Sequence, residues 1–313
     1  MDEERLPWLD EDDLARKHPQ IFHYTNFLNL NSILSSGGLF GTPYTETNDR
    51  EEFRTAKGIL APAIAKYAQD FLKKKHPSLI EKILHAGEDP ENIINSDADT
   101  FIESALITNP YRPFLTCFSF HDEPHHKENG ILAMWRSYCS ENGGIALGFE
   151  TKKISAKSYV LGKEAKLSMM YLDGAIYGHQ TEILQSRLAD AAGLIEMYAE
   201  FLDSQINHKE PKLDPKELIR LIILSACVKH ADFTDEREIR LVINRVDDTK
   251  DKRPNLPMRG SKIVVPIADC LSHILIGPTN DPDAIEAAVQ HNLRKFDRTD
   301  VTVSHSRTPY RRL

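Results

Sequence analysis

The sequence predicts an α+β protein. Three observations carry this. Strand-like segments rich in β-branched and aromatic residues are short and widely spaced. Segments with helical periodicity fall between them in an order too irregular for a doubly wound or barrel pattern. No internal repeat divides the chain.

The elements follow in order. Gln20–Tyr24 is expected as a strand and Leu28–Ser35 as a helix, then helices over Thr55–Lys74 and Ala98–Ile107. Phe114–Ser119 is the next expected strand, Ile131–Ser140 a helix for which Gly143 suits the stop, and Gly144–Glu150 and Ala165–Leu172 further strands. Thr181–Ile206 and Pro215–Val228 read as helices. Arg237–Asn244, Lys262–Val265, His273–Gly277 and Asp300–His305 read as strands, with a helix at Pro282–Phe296 before the last. Asp214-Pro215 and Asp281-Pro282 each pair an N-cap with proline at the first helical position. The two long helical regions, approximately 54–108 and 178–228, carry few concentrated polar motifs. They are expected as insertions that cover a central sheet within a single domain, 1–313.

The chain has 313 residues, 41% hydrophobic and 27% charged, which fits a folded globular protein and excludes fibrous and disordered classes. A net charge of −8 argues against a broad nucleic-acid-binding face, leaving only a local basic strip, Arg307, Arg311 and Arg312, to touch phosphate. The acidic start, MDEERLPWLDEDD, lacks the pattern of a signal peptide, and no run of about 18 apolar residues occurs. The expectation is a soluble, cytoplasmic protein with no membrane partner. Cys117, Cys139, Cys227 and Cys270 show no Cys-x-x-Cys spacing and are expected as thiols in a reducing compartment.

The candidate chemistry begins at IFHYTNFLNLNSILSSGGLF, from Ile21 to Phe40. The period of two puts His23 and Thr25 on one strand face and Phe22 and Tyr24 on the other. A satisfied core or capping histidine is the structural alternative. Further on, GTPYTETNDREE offers Tyr44 and Asn48 in a turn-like segment dense in hydrogen-bonding groups. Glu236, Glu238 and Arg240 alternate with Arg237, Ile239 and Leu241, so an extended strand would align the first three. Exposed ion pairs across strands would explain that row without chemistry. Trp135 and Tyr138 share a helix face, where core packing is the simplest role for Trp135.

The His23-x-Thr25 strand, with Asn29, Ile33-Leu34 and Gly38-Leu39 following, resembles the poly-ADP-ribose polymerase branch of the ADP-ribosyltransferases over about twenty residues. The resemblance implies a split β-sheet core with helical insertions and a His-Tyr-Glu site that consumes NAD. His23 would then hold a ribose hydroxyl with Thr25 orienting it. Tyr44 or Tyr138 would stack on nicotinamide, and Asn48 would join the NAD contacts. Glu238, with Glu236 as competitor, would stabilise an oxocarbenium-like transition state, and Arg240 would hold the pyrophosphate. NAD would be the substrate, cleaved at its nicotinamide N-glycosidic bond, with no metal expected and the acceptor left open among protein, nucleic acid and water. Such proteins in bacteria are often toxins or phage-defence effectors.

The chain also resembles a large bacterial family of unknown function. The resemblance rests on Asn48-Asp49 with Glu52, Met134-Trp135-Arg136-Ser137-Tyr138, Glu236 to Arg240, and Ser306 to Arg311, with Arg50 and Phe233 departing from the usual pattern. Two other functions stay open. One is a nucleotide-binding sensor without catalysis; the other is a metal-dependent nuclease using Asp49, Glu52, Glu236 and Glu238 around magnesium. A zinc set of Cys117, His121, His125 and His126 matches no common ligand spacing.

Overall fold

The computed structural model describes residues 11–46, 52–107, 111–139, 143–246 and 252–308. In chain order the elements are α1 (Glu11–Lys17), β1 (Gln20–Asn26), α2 (Leu30–Ser36), β2 (Leu39–Pro43), α3 (Glu52–Lys75), α4 (Pro77–His85) and α5 (Pro90–Ile107). Then come β3 (Tyr111–Phe120), α6 (Pro124–Asn129), α7 (Leu132–Tyr138), β4 (Gly144–Glu150), α8 (Thr151–Glu164), β5 (Leu167–Gly174) and β6 (Ile176–Tyr177). The rest are α9 (Thr181–Asp190), α10 (Ala192–Ile206), α11 (Pro215–Cys227), β7 (Val228–Lys229), β8 (Glu238–Val246), β9 (Met258–Arg259), β10 (Lys262–Val265), β11 (Leu271–Ile276), α12 (Pro282–Lys295) and β12 (Thr302–His305). The class is mixed α and β, as the sequence predicts.

The chain divides into two compact units. The helical unit holds residues 44–113 and 176–231, which brings the two helix-rich segments together. Its core, including Leu60, Ile64, Phe101, Ile195, Tyr198 and Leu221, is its own, and the parallel pair β6–β7 belongs to it. Thr181–Ile206 is two helices rather than one, because Ala191 at φ −104° and ψ 45° leaves helical geometry.

The sheet unit is built on a mixed sheet ordered β12-β11-β4-β1-β3-β2-β10-β9, with β8 joining β3 to β5. Strands β11 and β12 pair in parallel, whereas β1–β3, β1–β4, β4–β11, β2–β3, β2–β10, β9–β10 and β5–β8 are antiparallel. Strand β4 lies in its centre and is buried from Gly144 to Phe149, as a strand covered on both faces should be. One face packs Ile21, Phe118, Ile145, Leu147, Phe149, Ile239, Leu241 and Ile243 under helices. Those helices reach it through spaced stripes: Leu30, Ile33 and Leu34 of α2, and Ile285, Val289 and Leu293 of α12. The other face packs Phe22, Tyr24, Ala146 and Leu275 against Ile131, Met134 and Trp135 at α7.

Local signals read correctly where they were chemical. Asp214 accepts from Lys216 N–H at 2.7 Å and Asp281 from Ala284 N–H at 3.0 Å, each with proline following. Strand β2, which the sequence reading omitted, contains Gly41 and Pro43 and is held by β10 and β3. Its pairing comes from partners distant in sequence, which local composition does not encode.

Candidate functional site

His23 stands where the sheet divides. All seven residues of β1 pair with β4, but only Ile21 and Phe22 pair with β3, at Phe120 and Ser119. Beyond that point β3 turns to β2, with Leu115 opposite Thr42 and Phe114 opposite Pro43. The imidazole bridges the mouth of this fork: Nδ1 lies 2.9 Å from the Cys117 carbonyl, to which it donates. Donation from Nδ1 leaves Nε2 as the acceptor nitrogen. Burial holds the ring below its ordinary value of 6.5, and the bond to Cys117 opposes this only in part. Thr25, buried two residues on, accepts from the Asn29 amide at 2.9 Å. That bond ties the end of β1 to the turn that leads into α2.

On the opposite side of β1, Tyr24 is a buried hub. The Ile131 N–H donates to its hydroxyl at 2.7 Å, and the hydroxyl bonds His121 Nε2 at 2.8 Å. With one proton to give, the phenol donates to Nε2, which puts the His121 proton on Nδ1. The His121 ring stacks on Phe22, with centroids 3.8 Å apart. Burial first, then His126 and His273, push its pKa down to about 3.

Glu238 and Arg240 form a buried ion pair on β8. Arg240 Nε lies 3.1 Å from Glu238 Oε1, and Nη2 donates to Oε2 at 3.1 Å. Arg240 is fully buried and Glu238 only 4% exposed. Asp173, also buried, sits directly across from Arg240 on β5, so two carboxylates share the face with one guanidinium. The sequence reading missed Asp173, since YLDG looks like a strand end running into a turn. A phosphate could engage Arg240 only after Glu238 released it.

Glu236 does not belong to that row. It ends a 3-10 turn, Ala231–Glu236, and Arg237 follows at φ 49°, a left-handed conformation that breaks the period of two just before β8 begins. Arg237 is turned onto Asp122 and onto Glu123 Oε1. Its own carbonyl accepts from the Phe120 N–H at 2.9 Å, which fastens the start of β8 to the end of β3.

The remaining candidates are scattered. Tyr138 is half-buried at the end of α7, packed with Trp135 and Cys139. Tyr44 belongs to the helical unit, where it is buried and its hydroxyl donates to the Ser225 carbonyl at 3.2 Å. Asn48, with Asp49, lies outside the described residues, as do Arg311 and Arg312. Of the C-terminal motif, Ser306 donates to the Asn129 carbonyl, and Arg307 N–H donates to the Asn129 side chain at 2.8 Å. The four cysteines are free thiols, Cys117 half-buried and the others buried.

Face assignment follows from alternation. His23 and Thr25 share the face of Ile21, whereas Glu238 and Arg240 oppose Ile239 and Leu241, which lie in the same core as Ile21. The two groups therefore project from opposite faces, on strands separated by β3. A cavity of about 430 Å³ in the sheet unit is lined instead by Phe27, Leu28, Asp281, Ile285 and neighbours. None of the sequence-predicted residues lines it.

Residues 134–241 match the family model described as Protein of unknown function (DUF2971). The match covers about a third of the chain and includes Tyr138, Glu236, Glu238 and Arg240, but not His23, Thr25 or Tyr44. No curated protein and no solved structure matches the chain. Among the described residues, no helix is long and apolar enough to cross a membrane.

Proposed function

We propose that this protein consumes NAD, cleaving the nicotinamide N-glycosidic bond as an ADP-ribosyltransferase or NAD glycohydrolase. The observation that supports the reading best is the fork between β1 and β3, with His23 anchored at its mouth and its Nε2 left to meet a ligand hydroxyl. Thr25, set by Asn29, supplies a second hydroxyl partner for ribose. The reading requires the dinucleotide to lie in the fork, so that it borders both sheet faces. It also requires Glu238 to leave Arg240, freeing a carboxylate for the developing positive charge and a guanidinium for phosphate. Tyr138, on the helix over the Tyr24 face, is the stacking candidate within the sheet unit. The acceptor is a protein, a nucleic acid or water, and the setting a toxin or phage-defence system.

The closed Glu238–Arg240 pair favours a second reading, a nucleotide-binding sensor that never opens the pair and performs no cleavage. One experiment separates the two. Purified protein is incubated with NAD, with and without cell lysate as acceptor source, and released nicotinamide is measured. His23→Asn keeps a side-chain N–H for the Cys117 carbonyl and removes Nε2. Cleavage by wild type, lost in folded His23→Asn and in Glu238→Gln, is expected. Saturable NAD binding without nicotinamide release supports the sensor, and neither binding nor release refutes both.

A further inference from the structure

We propose that Glu123, His125 and His126, where β3 runs into α6, form a site for a zinc-class divalent cation. This proposal rests on residues apart from the NAD reading. One donor atom from each of the three lies within 4.8 Å of the other two. A tetrahedral ion with donors at about 2.0–2.1 Å holds those donors about 3.3–3.4 Å apart. His125 Nδ1 is already 3.3 Å from Glu123 Oε2, at the spacing such an ion needs.

Two further observations point to a ligand. His126 Nδ1 is shielded from solvent and makes no hydrogen bond, with the Asp122 carboxylate at 3.7 Å, so coordination would satisfy it. Glu123 is oriented from behind: Arg237 donates to Oε1, which leaves Oε2 turned to the histidines, the arrangement by which outer partners fix a metal-binding carboxylate. Against Asp122 and Glu123, the single Arg237 guanidinium leaves one negative charge for the cation to neutralise. Two imidazoles with carboxylate oxygen select zinc and its neighbours over magnesium, which prefers oxygen alone. His121 is outside the set: Tyr24 donates to its Nε2, which leaves the ring proton on Nδ1. The ion would tie the segment after β3 to Arg237 at the start of β8.

The test is zinc titration of chelator-stripped full-length protein against a competing chelator, with cobalt substitution as a spectroscopic readout. Wild type is expected to bind one equivalent and to give the intense visible bands of tetrahedral cobalt. Glu123→Gln, which keeps the side-chain shape and removes the ligand charge, should weaken binding by more than the about 10–100-fold that loss of an outer partner costs. His125→Ala, at an exposed position, should weaken it at least as much, and His125→Ala with His126→Ala should abolish the cobalt bands. Magnesium should not compete. Folding of each variant is checked by circular dichroism. Absence of zinc binding by wild type overturns the proposal. So does equal binding by folded His125→Ala, which would place the ion on other groups such as the free cysteines.

Discussion

Removing the charge from Arg240 should damage this protein more than removing it from Glu238. Both side chains are buried, joined through two contacts at 3.1 Å, and Asp173 faces Arg240 from β5. Arg240→Met removes the guanidinium that both buried carboxylates, Glu238 and Asp173, face, whereas Glu238→Gln leaves Arg240 with Asp173. Breaking a buried pair from one side costs about 3–5 kcal/mol, mostly the uncompensated charge. For a unit of this size, about 2–4 °C of melting temperature accompanies each kcal/mol, so Arg240→Met should melt about 6–20 °C lower. Glu238→Gln should fall at or below the low end of that range. Combining the two should recover about 1–3 kcal/mol relative to Arg240→Met alone, because the partner charge is gone. Trp135, buried in the sheet unit, gives the fluorescence signal for these melts. A shift under about 2 °C for Arg240→Met, or no recovery in the double variant, would refute the claim that this pair is desolvated and coupled.

Two other measurements address β1. His23 is depressed from 6.5 in the folded protein, so below that value the unfolded chain binds the proton more readily than the folded one. Its contribution is therefore complete above pH 6.5 and lost as pH falls from there. Urea midpoints should drop between pH 7.5 and 5.5 in wild type and drop less in His23→Asn; equal slopes would remove His23 from the account. Tyr24→Phe deletes the hydroxyl shared by the Ile131 N–H and His121 Nε2, stranding two buried groups at roughly 1–3 kcal/mol each. Urea unfolding followed at Trp135 should show that loss, and a change under about 0.5 kcal/mol would mean water replaces the hydroxyl.

Much of the candidate site was legible because it depends on local rules. Alternation alone separates His23 and Thr25 from Phe22 and Tyr24, and the structure packs the latter pair on Trp135. The same rule failed at Glu236, because it assumes an extended chain and Arg237 is left-handed. Asp173 went unseen because its role comes from a strand partner 67 positions away, at Arg240. Likewise the proposed zinc-type set in CFSFHDEPHH could not be chosen by spacing: His121 is taken by Tyr24 of β1, and Glu123 meets Arg237, which lies just before β8.

The sequence by itself determined the mixed class, the capped starts of α11 and α12, the faces of β1 and the polar groups available for chemistry. These follow from side-chain periodicity and from hydrogen bonds that close within four residues. Tertiary structure alone decided that β1 parts from β3 just before His23, that Tyr44 belongs to the helical unit, and that Arg240 closes on Glu238 beside Asp173. Each of those depends on which strand becomes whose neighbour. That choice is made by burying faces against partners tens to hundreds of residues away, and no local pattern records it.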